Sequence, residues 1–178
     1  MTNYKTAHGY LSDAERKYLY NIAGESDIII NVGIEYGASV HCFREGNSDA
    51  NIIAIDLIGN KKFEGGVSQV VLAEGNNVDF SILDIMPDPI VMFVKANSNT
   101  LNIDLQSDLI FIDGCHWGQC LQNDIEKYSR LATKYLLFHD YSDAPPHAGV
   151  KKALDNWDCP DFKKVDQIDT IAVYERIQ

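Results

Sequence analysis

Five short runs constrain this chain more than any other feature: Asp27–Val32, Asn51–Asp56, Ile90–Lys95, Asp108–Asp113 and Lys134–His139. They are too short for helices, and several are rich in β-branched residues. Near-continuous apolar runs of this length read as strands buried on both faces. Segments with helical spacing lie between most of them, so parallel strands joined by crossover helices are expected. Two closing runs, Phe162–Val165 and Thr170–Tyr174, are separated by Asp166–Asp169 and fit an antiparallel hairpin. The expectation is an α/β fold, doubly wound, with a mainly parallel sheet, helices on both faces and a C-terminal antiparallel hairpin.

The helical segments carry their own punctuation. In Leu11–Ala23, Ser12 and Glu15 have the spacing of a capping box, Tyr18, Leu19 and Ile22 form a stripe, and Gly24 is a stop. Ala38–Arg44 is the first crossover. Gln119–Ala132 places Leu121, Ile125, Tyr128 and Leu131 on one face, and Ala148–Trp157 is amphipathic. The middle is less legible. Leu57–Gly66 reads as a loop, Val67–Ala73 is strand or helix, and Asn77 is placed to cap a helix over 78–86 closed by Pro87 and Pro89.

The chain is 178 residues, one domain by length, with residues 1–24 as an N-terminal helical region and 57–89 as a variable insert or lid. Its formal net charge of −11 repels a nucleic-acid or anionic membrane partner, so neither is expected. Cys42, Cys115, Cys120 and Cys159 contain no CxxC pair, which argues against structural zinc. They read as free thiols, and with no signal-like N-terminus a cytoplasmic location is expected. Nothing in the sequence sets an oligomeric state.

In a sheet of this kind, ligands bind beyond the carboxyl ends of the strands. The first strand breaks at Gly33 and leads through Tyr36-Gly37 into a helix, the Rossmann-like way of bringing backbone N–H groups up to a nucleotide. Asp56 follows 23 residues after Gly33, near the spacing at which such folds grip a ribose. Asn31, Asn97-Ser98, Asp113 with His116, and His139-Asp140 end the other runs. A strand-terminal Asp taken alone caps a helix or solvates a loop. It is the recurrence on one predicted rim that points to a ligand. Trp117 and Trp157 read as packing groups, Cys120 as a small buried hydrophobe, and His8 and His147 as loop residues. His147 follows a Pro-Pro turn from which it can overhang the cleft.

The run DLIFIDGCHWGQCLQNDIEKY, then YLLFHDY and GVKKALDNW, resembles the class I S-adenosylmethionine-dependent methyltransferases. Within them it is most similar to the subgroup around cephalosporin-hydroxylase and macrolide-sugar O-methyltransferases. The resemblance implies a seven-stranded-type sheet binding S-adenosylmethionine. Gly33, Glu35, Tyr36, Gly37 and Ser39 would line the methionine and ribose part, with Asn31 where the family usually has an acid. Asp56 would hold the ribose and Asn97 and Ser98 the adenine. Asp113 would serve cofactor and catalysis, His116 would be the general base, and Asp113, His139 and Asp140 would hold a divalent metal such as Mg²⁺. The implied reaction is O-methylation of a small-molecule or sugar hydroxyl. A binding protein with catalysis lapsed is the alternative. A nicotinamide-dependent oxidoreductase is disfavoured because G-x-G-x-x-G is absent.

Overall fold

The computed structural model describes residues 8–57 and 70–177. Its elements are α1 (Asp13–Ala23), β1 (Ile28–Val32), α2 (Ala38–Gly46), β2 (Asn51–Asp56), β3 (Val70–Glu74), α3 (Ile82–Ile85), β4 (Val91–Lys95), β5 (Ser107–Ile112), α4 (Gly118–Ser129), β6 (Ala132–Phe138), α5 (Ala148–Asp155), β7 (Phe162–Ile168) and β8 (Ile171–Arg176). One sheet holds the strands in the order β3-β4-β2-β1-β5-β6-β8-β7. The six strands from β3 to β6 are parallel, and β8 and β7 close the edge antiparallel.

Neighbouring residues of the central strands face opposite layers. Ile30, Ile53 and Ile110 pack with Leu121, Ile125 and Leu154 of α4 and α5. Ile29, Ile52 and Leu109 pack with Leu19, Ile22 and Phe43 of α1 and α2. Both faces are therefore dry, and each buried Ile contributes roughly 1.5–3 kcal/mol. This double burial is why the strands read as unbroken apolar runs.

Four expectations need correction. The segment left as strand or helix supplies an eighth strand: β3 lies on the edge, where Val70, Leu72 and Glu74 are exposed, and its alternation was too weak to read. The helix expected over 78–86 shrinks to α3, because Asn77 bridges to Asn102 instead of capping it. Cys115 and Cys120 are not free thiols. The turn after β5 brings their Cα atoms to 6.0 Å and joins the sulfurs, within the span a disulfide bridges. The reducing-compartment argument then rests on Cys42 and Cys159 alone. Trp117 is not a packing group but stands 62% exposed, whereas Trp157 packs against Phe138, Phe162 and Tyr174. Of the loop expected over 57–66 and the insert expected over 57–89, residues 58–69 lie outside the described residues, and β3 and α3 fall in the rest. Among those described, no helix is long and apolar enough to cross a membrane.

Candidate active site

The strand order turns around between β1 and β5, so their carboxyl ends flank the crevice where this class of sheet takes ligands. Gly33 and Asp113 meet there. Gly33 sits at φ +86°, and a Cβ on it would lie 2.1 Å from the Asp113 carbonyl oxygen. The Asp113 N–H donates to the Val32 carbonyl at 2.7 Å, and the Gly33 N–H donates to Ile55 at 2.8 Å. Only glycine combines this left-handed φ with so close an approach of two backbones.

The loop after Gly33 is held from below. Asp56 Oδ2 accepts from the backbone N–H of Ile34 at 2.8 Å and of Glu35 at 3.2 Å. Asn31, fully buried, donates to the Gly33 carbonyl at 2.6 Å, so it shapes the turn from behind the cleft. Gly37, at φ +84°, takes the N-cap of α2. Above the loop lies a small open cleft lined by Tyr10, Glu35, Tyr36, Ser39, Asp113 and His139. His8 packs edge-on against Tyr36, ring centres 4.6 Å apart.

Asn97 and Ser98 follow β4, on the same rim beyond β2, but both are turned into local structure. Asn97 Oδ1 accepts from the N–H of Asn99 at 3.0 Å, and the Ser98 carbonyl accepts from Lys127 Nζ at 2.6 Å.

Beside the cleft the charged groups converge. His139 Nδ1 lies 3.0 Å from Asp113 Oδ1 and 3.5 Å from Asp140 Oδ1, while its Nε2 lies 3.5 Å from Glu15 Oε2. Burial alone would expel the His139 proton. Hydrogen bonds to Asp113, Asp140 and Glu15 outweigh burial and raise the pKa to about 12. Glu15 is the mirror case: burial raises its pKa, but His139, the Ser12 backbone and Thr170 bring it down to about 2. Asp140 adopts φ +61°, which turns its carboxylate back toward three histidines. Burial again raises its pKa, and the charges of His139, His116 and His147 lower it overall. His116 Nε2 stands 3.1 Å from Asp140 Oδ2 and 3.9 Å from Asp113 Oδ1. The Asp113 carboxylate, aided by Asp140, lifts its pKa above the ordinary value against partial burial.

The structure thus gathers Glu35, Tyr36, Ser39, Asp113 and His139 at one cleft, with Gly33 packed against the Asp113 backbone and His116 and Asp140 adjoining. Two residues join them from outside the expected set. Glu15 also completes the capping box its spacing predicts, with the Ser12 N–H donating to Glu15 Oε2 at 2.8 Å. His147, which reads from sequence as a loop residue able to overhang the cleft, has its Nδ1 3.1 Å from Asp140 Oδ2.

Asp113, His139 and Asp140 bring ligating atoms within 4.8 Å of one another. The set nevertheless does not fit Mg²⁺. That ion takes oxygen ligands in strict octahedral geometry, and here one of the three donors is a ring nitrogen that already faces Asp113 Oδ1 at 3.0 Å.

No family model matches the chain, and no curated protein matches it either. Solved structures do. A methyltransferase of Podospora anserina bound to S-adenosylhomocysteine (SAH) superposes with TM-score 0.61 at 14% identity, over 95% of this chain and 80% of that one. An O-methyltransferase of Bacillus cereus in complex with SAH gives 0.57 at 13%, over 95% and 83%. The chain shares the fold of these structures. The MycE methyltransferase of the mycinamycin pathway, in complex with Mg, SAH and mycinamycin VI, gives 0.57 at 12%, and the chain covers 51% of its length. At these identities the likeness is one of architecture.

Proposed function

We propose that the protein is an S-adenosylmethionine-dependent methyltransferase that methylates a hydroxyl of a small molecule or sugar. The observation that carries this is the cleft at the switch point, walled by Ile34, Glu35, Tyr36 and Ser39 of the loop after Gly33 and by Asp113 and His139. The SAH-bound neighbours of the same fold support the nucleoside, and the Bacillus cereus O-methyltransferase among them supports an oxygen acceptor.

Methyl transfer from a sulfonium is an in-line displacement, so positioning does most of the work. Asp56 braces the loop by accepting from the Ile34 and Glu35 N–H groups, and the carboxylates around the cleft favour a cationic sulfonium. Carbon–sulfur cleavage, carbon–oxygen bond formation and loss of the hydroxyl proton then balance. His116 accepts that proton, and Asp113 and Asp140 stabilise the imidazolium formed. His139 stays protonated throughout and fixes both carboxylates. The test is transfer of a labelled methyl group to a library of hydroxyl compounds. Product formation that His116→Ala abolishes supports the assignment; wild-type protein that binds cofactor and methylates nothing points to the lapsed binding protein.

A further inference from the structure

We propose that His116, Asp140 and His147 form a site for a borderline divalent transition metal of the Zn²⁺ or Co²⁺ class, separate from the Asp113–His139 pair. His116 Nε2 and His147 Nδ1 each lie 3.1 Å from the same oxygen, Asp140 Oδ2. All three ligating atoms fall within 4.8 Å of one another. Ligands at about 2.0–2.1 Å around a tetrahedral zinc stand roughly 3.3 Å apart, so the spacing already suits a metal.

The unpartnered nitrogens argue the same way. Both ring nitrogens are buried and neither makes a hydrogen bond, although each lies within reach of Asp140. Two buried ring nitrogens thus stand beside one carboxylate oxygen with no hydrogen-bond partner, and a shared cation would satisfy all three. Two imidazoles and one carboxylate are a borderline donor set, suited to Zn²⁺, Co²⁺ or Fe²⁺ and poor for Mg²⁺.

The surroundings hold the set in place. The other oxygen of Asp140, Oδ1, lies 3.5 Å from His139, which fixes the carboxylate from outside the site. Gly149, in the first turn of α5, lets that helix press on the His116 backbone: a Cβ there would lie 2.6 Å from the His116 carbonyl oxygen. That contact seats His147, the N-cap of α5, over His116, their ring centres 5.0 Å apart. Three protein ligands leave a coordination position for water or another oxygen ligand. The site does not depend on the methyl-transfer reading. A metal on His116 Nε2 would occupy the nitrogen that the base role needs, so loading and proton acceptance exclude each other.

The test is titration of chelator-stripped protein with Co²⁺, followed by its visible absorption. The expected result is one Co²⁺ per chain with four- or five-coordinate bands that Zn²⁺ displaces and excess Mg²⁺ does not. His147→Ala and His116→Gln, with unchanged thermal midpoints, should each weaken binding at least about tenfold, while His8→Ala binds as the parent does. Should either variant lose its fold, Asp140→Asn gives the same readout. Absent bands, displacement by Mg²⁺, or undiminished affinity in His147→Ala would each overturn the site. Failure of the methyltransferase reading shows separately, in cofactor binding by the metal-free protein.

Discussion

Glu15, in the first turn of the helix that precedes the sheet, reaches to 3.5 Å from His139 Nε2 at the carboxyl end of β6. The same carboxylate accepts from the Thr170 N–H at 2.9 Å and from its hydroxyl at 2.7 Å. One side chain thus ties α1, the end of β6 and the turn before β8 together. Glu15→Gln leaves the His139 cation with one carboxylate fewer in a buried place. Breaking such a pair costs roughly 3 kcal/mol, which chemical denaturation at neutral pH should show as a lowered midpoint with unchanged slope.

The pair also sets a pH signature. Glu15 has its pKa depressed from 4.5 to about 2, so its contribution is complete above about 4.5 and is lost as pH falls toward 2. His139 has its pKa raised from 6.5 to about 12, so its contribution is complete below 6.5 and drains away as pH rises toward 12. The stability gap between parent and Glu15→Gln should therefore be widest near pH 5–6 and shrink below pH 4, as read from denaturation midpoints across that range.

Gly33→Ala forces a methyl group against the Asp113 carbonyl at a φ that L side chains rarely adopt. Strain and overpacking together should cost at least about 3 kcal/mol. Cofactor affinity measured by calorimetry should fall with stability, because the turn and the Asp113 loop must separate.

Asp56→Asn tests the loop brace. An amide nitrogen in place of Oδ2 would face the Ile34 and Glu35 N–H groups, and the flipped amide still offers a weaker acceptor than a carboxylate. Cofactor binding should weaken roughly tenfold, with a thermal midpoint lowered by only a few degrees.

His116→Ala should lower the rate of methyl transfer by about 10²–10⁴-fold while cofactor affinity stays at the parent value. Equal losses in both would place His116 in cofactor binding rather than in proton transfer.

The sheet was legible because burial on both faces writes itself as unbroken apolar runs such as Ile28–Val32 and Asn51–Asp56. The β3 edge was not, since Val70 and Leu72 face solvent. Asp113, His116, His139 and Asp140 could be found because each directly follows a strand. Glu15 could not: its contact with His139 spans most of the chain, and its local pattern is fully explained by the cap it also makes. The protonated state of His139 likewise follows only from three carboxylates meeting in space.

The most direct measurement of the central claim is a calorimetric titration of the protein with S-adenosylmethionine, repeated with NAD. The account predicts saturable binding of one S-adenosylmethionine per chain, competed by SAH and weakened by Asp56→Asn, with no heat from NAD. Saturation by NAD with no response to S-adenosylmethionine would contradict it.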